Sequence, residues 1–510
     1  MNKINLIIPA AGQATRLRPL SSNQSKAMVR VNGKPCIDYI IEHAEKCADI
    51  EQIIIIDGAF DDIREYVSRR WGKLNITFAK QQHLNGPHDA ILIGAKQIKN
   101  YDLPAVVWLG DAIILEEDMP LGTDFLLCKE VIDHNNWCMW DEGNFQYHDK
   151  PKQSIPNGVA LVGLYSFSNS LDMMAAFVDS QDEYEISTAL KVYPKKFNKV
   201  LTDEWYDIGE ISSYYKTCAA LIGLKSRAFN KITYDQELGL IHKQPDYHNI
   251  DAIQTIDDER NWYRCLDWRQ ELFVPRFIDN PNALILSYEP GILLSDLMMY
   301  EDMTTSTWEY IVDRIFYIIT EYFHQSKTKT TDAIYTFSSN CKGIWVDKTV
   351  ARLKTVALSK DIKDQITLYA KEIHKNCEPV PCMHGDLHLG NILYNVQNDK
   401  FSLIDPRGKY GTVEGTIGDN LYDWAKLAHD LVLGYNHLVA DIEYTRRAEM
   451  DSIFKKMCKK YGVNYNLAVK GSVVLLATCV PLHADNPARQ ERFIKRVEEY
   501  FDDKSSFHSI

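Results

Sequence analysis

The chain has 510 residues, of which 45% are apolar and 25% charged, and it carries a net charge of −13. At about 150 residues per domain this length predicts two to four domains, with the composition of an ordinary globular chain. So negative a balance excludes a broad basic face for nucleic acid or anionic lipid, so polyanionic substrates must meet local cations, backbone amides and bound Mg²⁺.

In chain order, the apolar runs Ile4–Pro9 and Gln52–Asp57 predict buried strands, with a helix over Ile37–Cys47 between them. Ala105–Leu109 is a further apolar run, ending at Gly110-Asp111. Strands separated by helices predict an α/β, Rossmann-like domain whose sheet is mostly parallel and covered on both faces. Ligands bind such sheets at the carboxyl ends of the strands, where Gly12 and Asp111 fall. A helical pattern from Ile211 to Leu224 closes the region, and the boundary is placed near 225, giving domains 1–225 and 226–510.

The first strand runs into Ala10-Ala11-Gly12, then Arg16, Arg18-Pro19, Lys26 and Gly33-Lys34-Pro35. A Gly-containing turn after a buried strand lets backbone amides approach triphosphate oxygens, and Gly12 removes the side chain that would block them. Arg16 and Lys26 then supply the charge that stabilises departing pyrophosphate.

Residues 3 to about 222 resemble the sugar-phosphate nucleotidylyltransferase family, which implies a GT-A-like fold. On that resemblance Ala10, Ala11 and Gly12 cradle the nucleotide, while Gln81 and the segment opening at Gly86 contact the base. Asp111, in Trp108-Leu-Gly-Asp111, and Asp207, in Trp205-Tyr-Asp-Ile-Gly209, become the Mg²⁺ ligands. Asp149-Lys150-Pro151 stands where the family's sugar-binding Glu-Lys-Pro lies, with Asp149 departing from the pattern. Gly163, within Val159–Tyr165, lines the sugar pocket, and Glu185 is the acidic sugar ligand. The implied reaction is in-line attack by a sugar phosphate oxygen on the α-phosphate of an NTP (UTP, CTP or dTTP).

Beyond Ser226–Asn230 an apolar alternation passes Ile232, Tyr234 and Leu240 to Lys243. The chain then becomes helical. Trp308, Ile311, Val312, Ile315, Phe316, Ile319, Tyr322 and Phe323 share one face at 3.6 periodicity, and Ser306 with Glu309 has capping-box spacing. Further helical patterns cover Asp419–Leu433, Ala440–Lys460 and Tyr465–Leu482. The longest apolar run, Val473–Leu482, is too short to span a bilayer, and Met1–Ala11 lacks the basic region of a signal peptide. Eleven cysteines without CxxC or Cys/His spacing read as reduced thiols, so a cytoplasmic protein is expected.

Phosphorylating a hydroxyl requires a carboxylate to orient or accept its proton, and metal ligands over the ATP phosphates. His384-Gly385-Asp386 followed by Asn391 supplies the carboxylate and one ligand, and Asp405 supplies another. These residues resemble the aminoglycoside phosphotransferase-like kinases, a protein-kinase-like α+β fold. On that resemblance Asp386 is the catalytic base, Asn391 and Asp405 bind Mg²⁺, and Asp423 braces the loop. The small lobe spans 226–295 and the helical large lobe 296–510. Lys243 and Glu259 suit the phosphate-binding pair, Ser226–Asn230 would cover the phosphates in place of a Gly-rich loop, and Ser287–Gly291 would be the adenine hinge.

A kinase makes the phosphomonoester that a nucleotidyltransferase consumes. The expected protein is therefore bifunctional: it phosphorylates a small hydroxylated compound with ATP, a sugar at its anomeric position, and then activates it for surface polysaccharide synthesis. Two alternatives stay open, choline or another small alcohol as substrate, and a C-terminal half that binds without catalysis. The partners are small molecules, with no nucleic acid and no membrane insertion, and homo-oligomerisation is left open.

Overall fold

The computed structural model describes residues 3–141, 143–144, 146–180, 184–225, 230–300, 303–325 and 333–507. The chain divides into two compact units, Met1–Leu221 and Ile222–Ile510.

The first unit is built on a nine-stranded sheet. Its parallel half places Lys3–Pro9 between Asp49–Asp57 and Ala105–Trp108, with Leu6 opposite both Ile53 and Val106, and Ile76–Lys80 beyond. Within these strands Leu6–Ile8, Ile53–Ile56 and Ala105–Trp108 are buried at every position, because both faces of the sheet are covered there. The helix Gly86–Ala95 lies so close that a Cβ on Gly94 would come 2.7 Å from Ile7 and Ile56 side-chain atoms. The other half is antiparallel except for the strand Asn198–Leu201, which runs parallel to Phe125–Lys129, so the sheet is mixed and the expectation of a mostly parallel sheet is corrected. Val159–Phe167 runs against Ala105–Trp108, and Phe125–Lys129 and Cys138–Asp141 run against it in turn. The strands of residues 125–167 follow one another with no helix of two turns between them, so no parallel crossover can form there.

The second unit opens with a four-stranded antiparallel sheet in the order Asn230–Asp235, Leu240–Pro245, Leu284–Ser287, Phe277–Ile278. The helix Ile250–Arg264 packs on it, its first amides capped by the Asn249 side chain. The rest is largely helical. The long apolar stripe forms Thr305–Ile318, but its N-cap is Thr304, whose hydroxyl accepts the Thr307 N–H at 3.3 Å. Ser306 and Glu309 make no capping box there; Glu309 instead pairs with Lys456 at 2.8 Å. A π-helical turn at Ile319–His324 carries the stripe on to buried Phe323. The expected helix at 419–433 begins only at Tyr422, because the Asp419 carboxylate caps the amides of Leu421 and Tyr422. The 440–460 pattern divides into Tyr435–Ala440 and Arg447–Tyr461, with Asp441 at φ 59° between them.

One helical segment among the described residues, Tyr465–His483, is long and apolar enough to cross a membrane by length and composition, so the run is longer than the sequence expectation allowed. It is a core helix, packed on Tyr422–Leu431 and Lys360–Asn376, with Gly471 against Ala425.

Candidate active sites

In the first unit neighbouring glycines shape the loop after the first strand. Ala10 and Ala11 are buried. A Cβ on Gly110 would lie 2.9 Å from the Pro9 carbonyl oxygen, and one on Gly58 would overlap that of Ala11. At Gly12 a side chain would meet open space, which leaves room for a ligand against the loop amides. The Ser25 hydroxyl donates to the Ala10 carbonyl at 3.2 Å, and its N–H to Asp62 at 2.9 Å. Next to it, Lys26 forms an ion pair with Asp111.

Burial alone would push the Asp111 carboxyl up, but Lys26, and with it the exposed Arg16, outweigh burial and hold it below the usual range. Asp207 is brought alongside by the antiparallel pairing of Trp205–Asp207 with Ala112–Ile114. It moves the opposite way, raised by burial and then by the charge of Asp111. A divalent cation would relieve that repulsion, and hard carboxylate oxygens suit Mg²⁺. Among the described residues no three His, Cys, Asp or Glu side chains converge. Phosphate oxygens and water would complete such a shell.

A cavity of about 190 Å³ opens on the two aspartates, walled by Asp149, Gly163, Tyr165, Glu185, Trp137 and Trp205 among others. Among the described residues no Lys or Arg lines it. The two indoles meet edge-on with centroids 4.8 Å apart. The Ser187 hydroxyl donates to Asp149 at 2.7 Å. Glu185 precedes the helix Ile186–Val192 and caps nothing with its side chain. Gly163 has φ 93°, and a Cβ there would press on Ala112 and Leu109 at 3.2 Å. Lys150 stands outside this wall, left-handed at φ 43°, its N–H bonded to the Trp137 carbonyl at 3.0 Å. Buried Gln81 ties its amide to the Gly86 carbonyl at 3.0 Å and to Asp89 at 2.8 Å, and Gly86 opens its helix at φ 85°. Trp137 went unnoticed in the sequence because no motif surrounds it.

In the second unit Lys243 pairs with buried Glu259 at 2.6 Å and with Asp405 at 3.3 Å. Burial opposes its charge, but Asp405 and Glu259 raise its pKa, so it stays protonated. Asp405 is left-handed at φ 54°, a conformation a non-glycine residue adopts at a cost. The loop carrying Asp386 is pinned from below: the Asp423 carboxylate accepts the N–H groups of His384 at 3.0 Å and Gly385 at 2.7 Å. Trp262 donates to the Met383 carbonyl at 2.8 Å. Asn391 donates twice to Asp386, at 3.0 Å to its carbonyl and to its carboxylate. Lys426 reaches Asp386 at 2.7 Å, and His388 lies 3.6 Å away. Burial resists ionisation of Asp386, yet Lys426 and His388 hold its carboxyl well below the usual range. Residues 226–229, expected over the phosphates, lie outside the described residues. Sequence reasoning missed Lys426, whose signal was its place one turn after Tyr422, and Arg407, which donates to the Tyr422 hydroxyl at 2.7 Å.

Residues 5–123 match the family described as nucleotidyl transferase. A UTP–glucose-1-phosphate uridylyltransferase of Staphylococcus epidermidis is 29% identical over 268 residues, covering 42% of this chain and 92% of that protein. The choline-phosphate cytidylyltransferase of Streptococcus pneumoniae is 26% identical over 220 residues, 41% of this chain and 95% of its own length. A UDP-glucose pyrophosphorylase crystallised with UDP-glucose superposes with a TM-score of 0.37 at 21% identity, over 44% of this chain and 99% of that one. The N-terminal region is a nucleotidyltransferase domain.

Proposed function

We propose that the chain catalyses two successive reactions: the second unit phosphorylates a small hydroxylated compound with ATP, and the first transfers a nucleotidyl group from an NTP to that phosphate. The observation that carries the pairing is the Asp386 loop, where an ionised carboxylate held by Lys426 and Asn391 shares a unit with the Lys243–Glu259 pair and Asp405. An ionised Asp386 orients the acceptor hydroxyl rather than waiting to be deprotonated. Lys243 would grip ATP phosphates, and Asn391 with Asp405 would hold Mg²⁺.

In the first unit the loop amides and Lys26 would bind the triphosphate, and Asp111 with Asp207 would hold Mg²⁺, which supplies charge neutralisation around the α-phosphate. The attacking group is already an anion, so alignment in the cavity, rather than proton transfer, limits the reaction. Asp149, Glu185 and Gly163 in the wall support a hydroxyl-rich sugar phosphate, made at the anomeric position and consumed in surface polysaccharide synthesis. A second reading has one specific observation behind it. Trp137 and Trp205 beside two carboxylates, with no basic residue in the wall, would also suit the quaternary ammonium of choline phosphate.

The test is to incubate the full chain with Mg-ATP and each of a set of sugars, sugar derivatives and choline, then add single NTPs and weigh the products. A nucleotide diphosphate-sugar supports the first reading and CDP-choline the second. Nucleotidyl transfer only to added phosphomonoesters, with none formed from ATP, would refute the pairing.

A further inference from the structure

Beside the Asp386 carboxylate lies a concentration of positive charge larger than that carboxylate can balance. Lys426 pairs with Asp386 at 2.7 Å. One turn back on the same helix, Tyr422 accepts from Arg407 at 2.7 Å and lies under its guanidinium at 5.4 Å. Trp345 packs on the Tyr422 ring, centroids 5.3 Å apart. Lys348 and Arg352 follow Trp345 at one-turn intervals along the next helical stretch, and Arg352 donates to the Thr478 carbonyl at 3.2 Å. Three segments thus deliver four cations to one neighbourhood.

Lys348 is the telling member. Its ammonium has no hydrogen bond or ion pair among the described residues, and the charges acting on it are those of Arg407, Arg352 and Lys426, none of them acidic. Burial and these three cations pull its pKa down to about 7. Lys348 alone of the four stands without a partner, and an unpaired, half-buried cation costs free energy that an arriving anion would return. His429, on the Lys426 helix and in the field of Lys426 and Asp386, adds two buried ring nitrogens with no partner. On the kinase reading the ATP phosphates have Lys243 and the Mg²⁺ that Asn391 and Asp405 would hold, which leaves the cluster for the acceptor.

We infer that Lys348, Arg352, Arg407 and Lys426 form a subsite for an anionic group on the phosphoryl acceptor, so that the second unit phosphorylates a hydroxyl of a molecule already bearing a carboxylate or a phosphate. The inference rests on the kinase reading of this unit. Two classes of acceptor satisfy it, hydroxy acids (sugar acids and hydroxy amino acids included) and sugar monophosphates. It disfavours choline as the acceptor.

The experiment uses the full chain with Mg-ATP and matched acceptors: glucose, glucuronate, glucose 6-phosphate, glycerol, glycerate, serine and choline. ADP release and product mass are read for wild type, Lys348→Met and Lys348→Arg. Anionic members should exceed their neutral counterparts by about tenfold or more in kcat/KM, an advantage that shrinks with added salt. Lys348→Met should raise the acceptor KM about tenfold while the KM for ATP moves less than about twofold, and Lys348→Arg should restore most of the loss. Lys348→Met removes an uncompensated charge, so its folding is not at risk. Glucuronate against glucose 6-phosphate separates a carboxylate from a phosphate. Phosphorylation of glucose, glycerol or choline as good as that of the anions, or an acceptor KM unmoved by Lys348→Met, would overturn the inference and leave the kinase reading standing. No phosphorylated product from any acceptor would remove both.

Discussion

The charge state of single side chains decides what each site can do. Asp386 is held ionised against burial by Lys426 and His388, so its own protonation should not limit phosphorylation between neutrality and the ordinary carboxylate range. Asp386→Asn should lower ATP-dependent phosphorylation about 10²–10⁴-fold and spare transfer to a supplied phosphomonoester, as separate assays of ADP and pyrophosphate would show. Asp111→Asn should do the reverse, cutting pyrophosphate release about 10²–10³-fold, since Lys26 loses its partner and Asp207 its companion carboxylate. A wild-type rate from Asp111→Asn would remove it from the metal site. Lys348 sets a pH dependence of stability. Its folded value of about 7 lies below the ordinary 10.5, so between these limits the unfolded chain holds more protons and stability rises with pH. The groups that face it, Arg407, Arg352 and Lys426, stay charged across that window. Urea melts at pH 6.5 and 9.5 should show the rise in wild type and lose part of it in Lys348→Met.

Among the elements, backbone proximity matters more than any one contact. Gly408, at φ 76° just after Asp405, lies against the carbonyl of Asp258, and a Cβ there would overlap it, while Lys409 pairs with the Asp258 side chain. The helix bearing Glu259 is thereby fastened to the loop bearing Asp405. Gly408→Ala should cost about 2–4 kcal/mol in chemical denaturation and should raise the KM for ATP as the Lys243–Glu259 pair shifts. Unchanged values would mean that the loop is free to move away. The parallel strands were legible because runs such as Leu6–Ile8 and Ile53–Ile56 are apolar at every position. The antiparallel half was not, since Gln146–Asp149 carries no apolar alternation and Cys138–Asp141 is a four-residue strand with only Met139 and Trp140 buried. Asp111, Asp207, Asp149 and Glu185 could be named from local motifs, yet their common cavity depends on tertiary approach. Nothing local to Lys150 announced that its backbone turns it away from that wall, and the Lys348 cluster had no signature because its members come from three separate segments.

At the level of the whole molecule, the two sites belong to different compact units, so each inactivated variant should retain the other reaction. A mixture of Asp386→Asn and Asp111→Asn proteins should rebuild the complete sequence, with a lag that shortens as protein concentration rises, because the phosphomonoester passes through solution. Product mass against time measures this. Failure of the mixture with both single activities intact would show that the intermediate does not leave the protein. The core helix Tyr465–Cys479 carries a consequence of another kind. With the turn that extends it to His483 it is apolar enough to be taken for a membrane segment while it is being synthesised, but two of the helices that cover it, Lys360–Asn376 and Tyr422–Leu431, precede it in the chain. Those two partners are synthesised before this stretch, which gives its greasy surface a place to dock as it appears, and a circular permutation that brought it first should deprive it of that protection.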